Sequence, residues 1–152
     1  MMPGTVSKRV LTDRLSWIEN MVAKIRSLPL ADKGEFLADY RNVATAESCL
    51  RRALEALFDA GRHVLAKGFG SGVSEYKEIA VQLKTHSVLS DSESKLLITL
   101  AGYRNRLVHF YHEVEPGELH EICAKRLGDV ERVAAAYRTW ISNNPDRVDS
   151  TL

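Results

Sequence analysis

Cysteine is scarce in this chain. Only Cys49 and Cys123 occur in 152 residues, far apart and in no C-x-x-C pair. That excludes a disulfide framework and reads as two buried thiols in a reducing compartment. Proline and glycine are few, at four and nine, so little interrupts long helices. Long apolar runs are missing as well. The longest, around residues 96–101, is far shorter than the roughly 20 residues a bilayer requires, and Met1-Met2-Pro3-Gly4-Thr5 carries no apolar signal core. A cytoplasmic location without a membrane partner is the expectation. Charge of one sign is also lacking, since the net charge is +1. A protein that grips nucleic acid constitutively carries a strongly basic domain. Any nucleic-acid contact here must come from a local cluster and be sensitive to salt.

What is present is an ordinary globular composition, 45% hydrophobic and 27% charged. The length suits one domain over residues 1–152, with a core from about 6 to 143 and a polar, disordered tail over 144–152. Periodicity predicts five helical segments and no strand. In residues 7–27, Leu11, Leu15, Ile18, Val22 and Ile25 form one stripe, closed by Pro29. A long second segment, 32–66, carries Phe36, Tyr40, Val43, Leu50, Leu54, Leu57 and Val64 on a seam that Glu47 and Gly61 interrupt. Glu47 is a candidate counter-charge for a cation such as Arg104 if buried, although such a residue more often lies at a seam's edge and reaches water. The run Gly68-Phe69-Gly70-Ser71-Gly72 reads as a turn, because it lacks the flanking strand and helix of a phosphate loop. A short helix over 74–83 follows, burying Tyr76, Ile79, Ala80 and Leu83. Ser90 with Glu93 is a capping box opening a fourth helix. Pro116 opens a fifth that runs to Asn143. The expected fold is all-α, an antiparallel up-and-down bundle of four to five helices.

The informative stretch is Gly102-Tyr103-Arg104-Asn105-Arg106-Leu107-Val108-His109-Phe110-Tyr111-His112. At roughly 100° per residue, a helix continued through it puts Leu96, Leu100, Tyr103, Leu107 and Phe110 on a core stripe. Arg104, Asn105, Val108, His109, Tyr111 and His112 then share the adjoining arc. Upstream on that arc lie Leu97, Ile98 and Ala101, a second apolar face that calls for a second partner. A two-fold dimer would supply it. Arg followed five positions on by His is a weak signal by itself, whereas the added Asn and Tyr make it informative.

Arg104-Asn105-x-x-x-His109-x-Tyr111 resembles the R-x4-H-x-Y motif of HepT toxins in the HEPN superfamily, and the similar placement of the flanking helices extends the resemblance over about residues 6–143. The resemblance implies the toxin of a type VII-like HEPN/MNT toxin–antitoxin pair. Its activity would be metal-independent, cofactor-free endoribonuclease cleavage in a homodimer. In that chemistry a ribose 2′-hydroxyl attacks the adjacent phosphorus, leaving a 2′,3′-cyclic phosphate. Arg104 and His109 would be catalytic with Asn105 beside them, while Arg106 and His112 read as auxiliary RNA contacts or plain surface. The implied partner is an MntA-like minimal nucleotidyltransferase antitoxin that silences the toxin by transferring AMP to Tyr111.

The residue chemistry suits these roles. An imidazole titrates near pH ~6.5 and can move a proton. A guanidinium binds two phosphate oxygens and stays charged. No Glu has a His three positions later, so the metal pattern of helical bundles is missing and no metal is expected. The alternative is a non-catalytic helical module that presents substrate to a partner nucleotidyltransferase.

Overall fold

In a computed structural model that describes residues 4–109 and 114–151, helices account for most of the described residues. α1 is Lys8–Arg26, α2 Lys33–Ala38, α3 Tyr40–His63, α4 Tyr76–Thr85, α5 Asp91–Val108, α6 Pro116–Lys125 and α7 Leu127–Asn143. The fold is all-α and HEPN-like. α1 lies along α3, α4 and α7 pack on α5, and α3 also meets α5, α6 and α7. α3 is therefore the central element, and its buried stripe Leu50, Leu54, Leu57 and Phe58 joins those of its neighbours in one core cluster. Burying such side chains contributes roughly 1.5–3 kcal/mol each.

Local chemistry explains the helix ends. Ser7 Oγ accepts from the Val10 amide at the start of α1. At α5, Ser90 Oγ accepts from the Glu93 amide and Glu93 Oε1 accepts from the Ser90 amide, so the expected capping box forms.

Four expectations need correction. Residues 32–66 are not one helix, because Asp39 adopts extended backbone (φ −121°, ψ 111°) and caps α3 through the Arg41 amide at 2.9 Å. A carboxylate that can bond its own downstream amides competes with helix continuation. The fifth helix divides likewise at Arg126, between α6 and α7. The segment after α3 widens into a π-helical turn, Val64–Gly68, before Gly70 takes φ +65° and the Ser71 amide donates back to the Leu65 carbonyl. Residues 144–151 are structured: Val148–Asp149 pairs in parallel with Val6–Ser7. Arg147 donates to the Gly68 carbonyl at 2.8 Å and stacks on Phe69. Two-residue strands carry no periodicity to be read.

Gly61 interrupts the apolar seam for a steric reason. A Cβ there would meet Tyr137 Oη at 2.8 Å and Leu83 Cδ1 at 2.9 Å, so only glycine lets α3 pass so close to α4 and α7.

Candidate functional site

The site is built at the C-terminal end of α5. Arg104, four residues before that end, turns its side chain back onto α3 and α4. Its Nε donates to Glu55 Oε1 on α3. Tyr76, the first residue of α4, donates its hydroxyl to the other oxygen of the same carboxylate at 3.1 Å. The Tyr76 ring lies under the guanidinium, 3.9 Å from Cζ to the ring centre, within the range of a cation–π contact. Asn105 Oδ1 accepts from Arg104 Nη1 at 3.2 Å. Carboxylate, ring and amide thus hold one arginine from three sides. Its side chain is 18% exposed and that of Glu55 32%, so the assembly is sheltered yet reaches the surface. Among the described residues Nη2 has no hydrogen-bond partner, which leaves that N–H group to donate to an anion.

Glu55 and Tyr76 are the functional candidates that sequence reasoning misses. Tyr76 reads as core, and Phe58 does pack edge-on against it at 4.9 Å, but its hydroxyl and exposed face serve the arginine. Glu55 carries no pattern at all, since its contact with Arg104 spans 49 positions. Glu47 is exposed on α3, as expected of a residue at the seam's edge, and Glu55 is the counter-charge of Arg104.

His109 is not on the helical face that the wheel assigns it. α5 ends at Val108, and His109 has extended backbone (φ −97°, ψ 105°), exposed to solvent. Its amide still donates to the Asn105 carbonyl at 3.2 Å. Asn105 therefore touches Arg104 with its side chain and His109 with its backbone. Arg106, expected to be available to RNA, forms a two-bond pair with Glu118 of α6 at 2.5 and 2.6 Å. The pair raises the arginine pKa and lowers that of the carboxyl, chiefly through these hydrogen bonds. Tyr111 and His112 lie outside the described residues.

The second apolar face of α5 also differs from expectation. Leu97 and Ala101 are fully buried and Ile98 partly so by the chain's own helices. That face gives no argument for a second subunit.

Away from the site, both cysteines are free and buried, and burial pushes the Cys123 thiol up to about 12. No described helix is long and apolar enough to cross a membrane.

An all-α bundle whose fifth helix carries Arg104 and Asn105 in its last turns, with His109 just past its end, has the HEPN class of fold. The structure of a tri-AMPylated Shewanella oneidensis HEPN toxin in complex with its MNT antitoxin superposes with a TM-score of 0.77. It is 18% identical and covers 86% of this chain and 97% of that one. YutE of Bacillus subtilis, a cytosolic protein of unknown function, gives 0.76 at 18% identity, with 92% and 94% covered. In sequence, the tRNA nuclease HepT of Aphanizomenon flos-aquae (strain 2012/KM1/D3) is 24% identical over 111 residues, 72% of this chain and 75% of that protein. The profile of the family described as ribonuclease HepT-like matches residues 18–137. The chain belongs to the HepT-like ribonuclease family.

Proposed function

We propose that the protein is the toxin of an HEPN/MNT pair, an endoribonuclease acting through Arg104 and His109 with Asn105 between them. The observation that carries this reading is the arginine clamp. A guanidinium fixed at Nε by Glu55, under-stacked by Tyr76 and open at Nη2 suits one task, receiving phosphate oxygens in a set orientation. The proposed reaction requires no metal. His109 takes the proton of a ribose 2′-hydroxyl, whose oxygen bonds to the adjacent phosphorus. Arg104 meets the growing charge on the non-bridging oxygens. The bond from phosphorus to the 5′-oxygen breaks, and that oxygen takes a proton to leave as a 5′-hydroxyl beside a 2′,3′-cyclic phosphate. Arg106 and His112 are proposed as RNA contacts, which for Arg106 requires exchange with Glu118.

The test is cleavage of labelled RNA by purified protein with EDTA present, comparing wild type with Arg104→Ala and His109→Ala. Cyclic-phosphate ends lost in both variants support the reading, and their appearance in either variant at the wild-type rate sinks it. Loss of cleavage in EDTA, restored by added metal, removes metal independence alone. RNA left intact by wild type, with the variants equally inert, returns the alternative, a non-catalytic module. That alternative draws on one observation: Glu55 already neutralises the arginine.

The homodimer and the site shared by two subunits rest on family resemblance. Silencing is proposed to occur through transfer of AMP to Tyr111 by an MntA-like nucleotidyltransferase. The adduct would add the negative charge of a phosphate to a protein whose arginine must receive RNA phosphate. Tyr111→Phe should stay toxic in growing cells while escaping co-expressed antitoxin, and equal rescue of both forms would end the idea.

A further inference from the structure

A second cluster lies in the groove between α1 and α3, which the reaction above does not use. A cavity of about 400 Å³ opens there, with Arg14 and Trp17 of α1 and Arg51, Arg52, Glu55 and Asp59 of α3 on its walls. The spacing explains the convergence: three- and four-residue steps put each set on one helical face. Trp17 is 43% exposed, whereas the chain's other tryptophan, Trp140, is 6% exposed.

One exposed aromatic is ordinary on a protein surface, but the charges around this one are not. Asp59 is taken by Arg62 at 2.8 Å and Glu55 by Arg104. Among the described residues no carboxylate lies within 4 Å of Arg14, Arg51 or Arg52. With Arg62 and Arg104 counted, five arginines face two carboxylates, a local excess of three positive charges on a chain whose net charge is +1. Midway along the α3 wall, Glu55 is both part of the groove and the anchor of Arg104. Arg14 and Asp59 also line a neighbouring cavity with Arg62 and His63.

Unpaired guanidiniums beside a solvent-facing indole form the surface that single-stranded nucleic acid uses. Phosphates displace counterions at the cations, and any base can stack on the ring. We propose that this groove seats the single-stranded RNA flanking the cleaved phosphate, with Arg14, Arg51 and Arg52 on the backbone and Trp17 under a base. The inference relies on the ribonuclease reading for the identity of the strand. It relies on the groove's own residues for the place.

The test uses a short, fluorescein-labelled 2′-O-methyl oligoribonucleotide, which lacks the attacking hydroxyl, and the full chain. Fluorescence anisotropy should give a Kd that rises on the order of tenfold in Trp17→Ala and stays near wild type in Trp17→Phe. For the double variant Arg51→Ala/Arg52→Ala, the slope of log K against log salt should fall by about 0.7 for each phosphate contact removed. RNA should quench the indole emission of wild type but not that of Trp17→Phe, where only the buried Trp140 remains. An unchanged Kd and salt slope in the double variant overturns the proposal. Absence of binding by wild type also overturns it. So does conversion of Trp17→Ala to a smaller oligomer with unaltered Kd, which would make the groove an interface between copies. If wild type binds through the groove yet cuts no cleavable RNA, the ribonuclease reading falls and the groove stands. Cleavage by wild type with groove variants binding normally has the reverse meaning.

Discussion

Arg104 has a mixed environment: a carboxylate that cancels its charge and a ring and amide that fix its direction. For long-range attraction of a phosphate the Glu55 partner is a handicap. For the chemical step it is an advantage, because an oriented donor needs no reorganisation as charge develops. If orientation matters more, weakening the clamp slows cleavage even though it liberates a positive charge. Arg104→Ala should lose on the order of 10²–10³-fold in single-turnover rate. Glu55→Gln should lose up to ~100-fold through misplacement of the guanidinium. Tyr76→Phe keeps the ring and loses only the 3.1 Å bond to Glu55, so a few-fold loss is expected. A faster Glu55→Gln enzyme would mean that the carboxylate restrains the arginine rather than aiming it.

His63 offers a separate prediction, on stability. It is half-buried on α3, and its Nε2 accepts from the Ser7 amide at 3.1 Å. Burial first, then the positive charges of Lys67 and Arg14, lower its pKa below the usual imidazole value. Above pH ~6.5 the ring is neutral in both folded and unfolded chains. As pH falls through that value the unfolded chain takes up the proton first, so stability declines until the folded ring titrates as well. Urea midpoints at about pH 7.5 and about pH 5.5 should separate in wild type and draw together in His63→Gln, which keeps an acceptor and cannot titrate. Equal separation in the two proteins would assign the pH dependence to other groups.

Among the elements, α5 shows most directly what is legible in a sequence. Its start is written locally: Ser90 and Glu93 bond each other's amides within four residues. Ser90→Ala should cost about 1 kcal/mol, read as a lowered urea midpoint. Its end is not written locally. Val108, His109 and Phe110 carry no proline or glycine stop, so periodicity runs the helix on, while the backbone leaves it at His109. The motif therefore points to Arg104, Asn105 and His109 as a group, yet its spacing does not give their geometry. α3 shows the same division. Its apolar seam is plain, whereas the break at Asp39 depends on a side chain choosing an amide two residues on. Glu55, the residue that holds the site, looks like any surface acid. Gly61 reads as a flaw in the seam and is in fact a point of close approach to Tyr137 and Leu83. Gly61→Ala should destabilise by about 1–3 kcal/mol through overpacking against Tyr137 and Leu83, although alanine is the better helix former. A thermal melt unchanged or raised would show that those side chains move aside freely.

For the whole molecule, the proposed reaction requires the Arg104 guanidinium and a His109 imidazole to reach one phosphate. Five residues of helix would separate them by about 7.5 Å along the axis, and the chain departs from the helix at the second of them. Arg104 is drawn inward onto α3 and α4, while His109 sits exposed beyond the end of α5. Side chains placed in such different directions suit a site completed across a two-fold axis, the arginine of one subunit facing the histidine of the other. The consequence is complementation. Arg104→Ala and His109→Ala subunits, each inactive alone, should regain cleavage when unfolded together and refolded as mixed dimers, because one of the two composite sites then has both groups intact. Light scattering establishes the dimer, and cyclic-phosphate formation reads the activity. A mixture as silent as its parts, from a protein that is demonstrably dimeric, would put both groups of each site on a single chain. Some movement around His109 would then have to bring the imidazole to the guanidinium.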